Sequence, residues 1–123
     1  MLIEYTVTIT TNGSGAATVY LGSRIRGRIV ALKYAPGTID TGGDLTITGE
    51  TSAIPILTKA NAGTSDVWFF PVAAANKVAD GAASSLTEVP VWLYNERVKV
   101  VVAQGGDTKT GTMTLWVDEP VVG

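Results

Sequence analysis

Apolar and polar residues alternate with a period of two along most of the chain. Ile3, Tyr5, Val7 and Ile9 alternate with Glu4, Thr6, Thr8 and Thr10, the signature of a half-buried strand. Branched residues on both of its faces suit a pleated surface. Asn12-Gly13 predicts a hairpin turn, because both residues tolerate positive φ, and Ala17 to Leu21 reads as the returning strand. From Arg24 to Tyr34 a longer strand puts Ile25, Ile29 and Ala31 on one face. Ala35-Pro36-Gly37 stops it, since proline removes a donor and glycine permits reversal. Gly42-Gly43 opens the next turn, before Leu45 and Ile47 alternate with Thr46 and Thr48. A short strand over Ile54 to Thr58 contains Pro55, which confines it to an edge or a strand end.

A polar turn from Asn61 to Asp66 precedes the apolar run Val67-Trp68-Phe69-Phe70, with Trp68 and Phe70 on one face and Phe69 on the other. Val72 to Glu88 dissolves into alanine, serine and glycine, and reads as one long loop with room for a helical turn around Ala73 to Val78. Loops this long inside compact domains tend to be functional or mobile. Val89 to Tyr94 forms a strand and Asn95-Glu96 a turn; Val98, Val100 and Val102 then alternate with Lys99, Val101 and Ala103. Gly105-Gly106-Asp107 reverses the chain into Met113, Leu115 and Val117. About eight short strands with turn signals at this spacing predict an all-β fold. The expected architecture is a two-sheet antiparallel β-sandwich, of jelly-roll or Greek-key type, with one long loop. A single domain spans residues 1–117, and residues 118–123 form a flexible C-terminal tail.

Composition narrows the chemistry. With 46% hydrophobic residues and 123 positions the chain can bury a real core without staples. Only 16% of residues are charged, below the usual figure of about a quarter, which suits a protein that spends its life against a partner. There is no cysteine and no histidine. Disulfides and thiolate sites are therefore excluded, and the commonest general base and transition-metal ligand are absent. The net charge of −2 is not a nucleic-acid or membrane-surface signature. Met1 to Tyr5 lacks a basic, apolar leader, and no apolar run is long enough to span a bilayer. The expectation is a protein made in the cytoplasm, with no cofactor and no membrane partner.

Each motif is weighed against a plainer reading. Asp40-Thr41-Gly42 resembles the active-site loop of aspartic proteases, which needs two carboxylates sharing a proton. Gly43 stands where that family has alanine or serine, and its later apolar-apolar-Gly motif, followed by a helix, has no counterpart, since Val121-Val122-Gly123 lies at the chain end. Ser14 has no nucleophile elbow and no histidine to act as base. Asp40, Asp44, Asp66, Asp107 and Asp118-Glu119 could hold calcium from two turns, or simply cap turn amides. Neither an enzyme nor a resident metal is expected. Arg24, Arg26 and Arg28 form a basic stripe about 13 Å long on one strand face. Arginine grips carboxylates bidentately, so the stripe is a candidate surface for an acidic protein partner. It is also readable as a solvated face, or as a phosphate contact that lacks aromatic interleaving. Trp68, Phe70 and Trp116 are candidate contact residues at a copy-to-copy or partner interface, with a sugar-stacking platform as the alternative use of the aromatics.

The segments Lys33-Tyr34-Ala35-Pro36-Gly37-Thr38-Ile39-Asp40-Thr41-Gly42 and Lys99-Val100-Val101-Val102-Ala103-Gln104-Gly105-Gly106, with the threonine-rich alternation around them, resemble small structural proteins of tailed bacteriophages. The resemblance implies a head decoration or cement protein: a compact β-sandwich, often trimeric or dimeric, that clamps neighbouring capsid subunits in the virion. It implies the major capsid protein or another phage structural protein as partner, a homo-oligomer, and no nucleic acid. It transfers no catalytic residue. A carbohydrate-binding or adhesion module, on a tail or fibre, is the alternative.

Overall fold

The computed structural model describes residues 1–121. Among them are nine strands and no helix: β1 (Leu2–Thr10), β2 (Ala17–Ala35), β3 (Asp44–Gly49), β4 (Pro55–Lys59), β5 (Val67–Phe69), β6 (Val72–Asn76), β7 (Ala83–Pro90), β8 (Trp92–Ala103) and β9 (Thr110–Asp118). All pairings are antiparallel. A seven-stranded sheet runs in the order β1-β9-β2-β8-β3-β4, with β5 also paired to β2, and β6 and β7 form a separate two-stranded sheet. Pro55 begins β4, the edge strand next to β3, where its missing N–H breaks no ladder.

The 19-residue β2 makes the sandwich. Its first part, Ala17 to Arg28, pairs with β8; its second, Arg28 to Ala35, pairs with β9 on one side and β5 on the other. Between Leu21 and Ile25 the register with β8 slips, and Gly22 takes positive φ there. Such a bulge bends and twists a strand, which lets one strand pass from one layer to the other. The inner faces of both layers share one core, including Ile9, Leu21, Ile25, Leu32, Leu45, Ile47, Val98, Val100, Met113 and Leu115.

Several local expectations give way. Asn12-Gly13 does not close a hairpin, because β1 pairs with β9 and Ala17 to Leu21 with β8. Asn12 instead holds a wide turn by accepting the Ser14 and Ala16 amides on its side chain. The segment read as a long loop, Val72 to Glu88, is mostly the β6–β7 hairpin. Asn95-Glu96 is not a turn but a bulge inside the continuous β8, with Asn95 at φ 62. That extra residue changes which face points inward: Val91 and Leu93 are buried before it, Glu96, Val98, Val100 and Val102 after it. A second slip, between Ile29 and Ala31, does the same in β2, so that Leu32 and Tyr34 follow Ile25 and Ile29 into the core. Within the expected tail, Asp118 closes β9, the Glu119 amide donates to the Met1 carbonyl at 2.8 Å, and the Tyr5 hydroxyl donates to the Glu119 carboxylate. Val122 and Gly123 lie outside the described residues.

Candidate functional site

Arg24, Arg26 and Arg28 all point outward, alternating with the buried Ile25, Gly27 and Ile29. Arg26 lies opposite Tyr94 on β8 and Arg28 opposite Trp92, and both aromatic rings are exposed. The stripe is therefore interleaved with aromatics across the strand pair, contrary to the sequence expectation, which looked only along the chain. Arg24 sits in the bulge and has no cross-strand partner. Gly27 explains the spacing of the stripe. Its φ is 142, and a side chain there would collide with the Asp118 carbonyl, so glycine lets β9 close against the strand. Arg28 meets Asp118 at 3.3 Å, with both side chains nearly half exposed, a geometry that contributes little stability. The Met1 ammonium first, and Arg28 after it, hold the Asp118 carboxyl below its ordinary range. Arg24 and Arg26 make no ion pair among the described residues.

Trp68, Phe70 and Trp116 come together as a stack. Trp68 lies 4.9 Å from Trp116 at an interplanar angle of 21°, and 6.4 Å from Phe70 at 9°. Trp68 projects from β5 and Trp116 from β9, on either side of β2. The residue opposite Trp116 on β2 is Ala31, small enough for two indoles to meet above it, and only 5% exposed. Lys33, opposite Trp68 in the register, places its ammonium 5.6 Å from that ring's centroid and 3.8 Å from Asp66. The rings stack near-parallel, with Trp68 and Phe70 still 48% and 67% exposed. Phe70 also lines a shallow depression with Arg28, Val30, Pro71 and Pro90. The arginine stripe and the aromatic stack therefore adjoin, and the six residues singled out in the sequence form one continuous outward face.

Sequence reasoning did not place Trp92 and Tyr94 in the contact set. Their alternation with buried Leu93 was the available signal. Both rings also line a groove of about 580 Å³ between the β6–β7 hairpin and the body.

The acidic motif residues do not converge. Asp40 is exposed on the β2–β3 loop, with its carboxylate against Gly106. Asp44 accepts the Asn61 amide at 2.9 Å, and Asp107 accepts the Thr108 hydroxyl at 2.7 Å. These are turn-holding contacts. Among the described residues no three acidic side chains gather where they could hold a metal ion. Comparison with protein-family models, curated proteins and solved structures gives no match.

Proposed function

We propose that this protein is a structural component of a tailed-phage virion, a decoration or cement protein that binds and stabilises the head lattice. One observation carries the reading: the outward face that joins Arg24, Arg26 and Arg28 to Trp92, Tyr94, Phe70, Trp68 and Trp116. Exposed arginines interleaved with aromatics are the residue types enriched where proteins bury surface against one another. They stand on a rigid sheet, which holds them in place at little entropic cost. Arginine supplies register on an acidic capsid surface through bidentate contacts, and the ring edges supply apolar area.

The carbohydrate alternative draws on the same rings. Sugar stacking needs open ring faces, and stacking with Trp116 and Phe70 occupies part of Trp68. Trp92 and Tyr94, exposed side by side at the rim of a groove, are the surface on which a glycan would sit. Quenching of tryptophan fluorescence by soluble glycans tests that reading.

The head-binding reading is tested by sedimenting the purified protein with expanded heads assembled without it. Saturable binding at a fixed number of copies per capsid subunit is expected, weakened at least tenfold by Arg26→Glu. Absence of binding to intact heads overturns it.

A further inference from the structure

We infer that the β6–β7 hairpin is an exchange arm: Leu86 of one copy seats in the groove beneath the hairpin of a second copy, and the second copy's Leu86 returns the contact. Among the described residues the hairpin pairs with no other strand, and nearly every residue from Val72 to Pro90 is exposed. Leu86 is 92% exposed and Val78 fully so. A lone two-stranded hairpin is marginal in water, and these apolar side chains gain nothing from the monomer.

Leu86 is presented by the local backbone. The register jumps from Ala74↔Glu88 to Asn76↔Ala83, leaving Ser84 to Thr87 facing Ala75 alone. Ser84 Oγ accepts the amides of Leu86 and Thr87, both at 3.2 Å, closing a side-chain turn. The surplus residues are thereby folded out of the ladder with Leu86 in solvent, and bulges of this kind re-aim side chains.

The receiving groove, about 580 Å³, is walled by Ile54, Pro55, Ala74, Val89, Trp92 and Tyr94, and no charged residue lines it. An uncharged groove disfavours a charged occupant, because burying an unpaired charge is costly. This chain itself carries the matching piece, an apolar knob between Ser85 and Thr87. The hairpin carries the knob and also walls the groove, which is what a two-fold interface requires, since both copies then use the same patch. The area is adequate. A hairpin about 27 Å long and about 10 Å wide, buried on one face against a second copy and reciprocated, removes about 1,100 Å² from water, just above the lower limit for a specific interface.

The test uses the cysteine-free chain. Two single-cysteine variants, Leu86→Cys and Ala74→Cys, are purified, mixed and oxidised gently without heads. A covalent mixed dimer on a non-reducing gel is expected, in large excess over that from Leu86→Cys mixed with Thr18→Cys, an exposed position on the body. Equal yields in the two mixtures overturn the proposal. Leu86→Asp serves as the second probe: with an unchanged circular dichroism spectrum, self-association by analytical ultracentrifugation is expected to weaken at least tenfold. Undiminished association of Leu86→Asp overturns the proposal, as does a wild-type protein that is monomeric at every concentration. The inference does not rest on head binding, so its failure and that of the decoration reading are separately visible.

Discussion

Replacing Glu96 tests whether the bulge in β8 and the turn between β3 and β4 act as one unit. Glu96 is 4% exposed, and its Oε1 accepts the Thr51 and Ser52 amides at 2.8 and 2.9 Å. Two effects compete. Burial pushes the carboxyl upward, and it is outweighed by the Ser52 amide and hydroxyl, the Thr51 amide and the Tyr94 backbone, so the group lies below its ordinary range. The folded protein therefore prefers the ionised form more than the unfolded chain does, and neutralising it destabilises. A hydrogen bond to a charged group contributes about 1.5–3 kcal/mol. Thr51 and Ser52 are themselves exposed, so water reaches the freed amides and the lower figure applies.

For two such bonds, Glu96→Ala costs about 3 kcal/mol, a fall in Tm of about 12 °C for a domain this size. Glu96→Gln keeps an acceptor without the charge. Charge-assisted bonds are roughly twice as strong as neutral ones, so about half the loss, ~1.5 kcal/mol, is expected. Urea unfolding followed by tryptophan fluorescence measures both. The sign of the pKa shift fixes the pH dependence: the wild-type margin over Glu96→Gln is full above pH 4.5 and is lost as pH falls through the lower folded-state value. A glutamine variant more stable than wild type at neutral pH, or a margin independent of pH, refutes the reasoning.

Tyr34 points its hydroxyl into the core without a hydrogen-bond partner among the described residues. Tyr34→Phe is therefore expected to leave stability unchanged or raise it by up to about 1 kcal/mol, and a loss of that size in urea unfolding would mean that the hydroxyl is bonded. Gly27→Ala puts a methyl group into the Asp118 carbonyl at a strained φ; a loss of about 2 kcal/mol or more is expected, and a neutral result would disprove the close approach of β9 to β2. Burial, then the hydrogen bond to Glu119 and its charge, push the Tyr5 hydroxyl up to about 12. The stability this contributes is complete below pH 10 and lost as pH rises through the folded-state value. In an absorbance titration Tyr5 and Tyr34, both raised, should ionise above pH 10, so Tyr5→Phe removes amplitude from the high-pH end of the curve, and a loss of amplitude centred at or below pH 10 contradicts this.

The all-β architecture was legible because period-two alternation dominates the chain and nothing breaks it with a helical period. Bulges were not legible. Asn95 and Glu96 have the composition of a turn, yet the parity change from Val91 and Leu93 to Val98 and Val100 betrays one inserted residue in a continuous strand. A strict two-residue period misses that by construction. The β6–β7 hairpin was missed because it has no core-facing side, and so no alternation to read. Of the outward face, Arg24, Arg26 and Arg28 followed from spacing alone. Their neighbours Tyr94 and Trp92 did not, since they are distant in sequence and meet the arginines only through the β2–β8 register. Trp68 and Trp116 were visible singly, but their stacking depends on Ala31 between them.

The charge distribution distinguishes the arginine stripe from the groove, although Trp92 and Tyr94 border both. The outward face holds three arginines within five residues of one strand, whereas no charged residue lines the groove under the hairpin. Charges at an interface act chiefly on partner choice and encounter rate, and salt screens them. Apolar burial is indifferent to moderate salt and strengthens with excluded salts such as sulfate. On the proposed reading, self-association through an uncharged knob makes no demand on the arginines, which stay available to an acidic lattice. Raising sodium chloride should therefore strip the protein from heads while leaving copy-to-copy association intact. Joint loss of both with salt would mean that copy-to-copy association also depends on the arginines and undo the division.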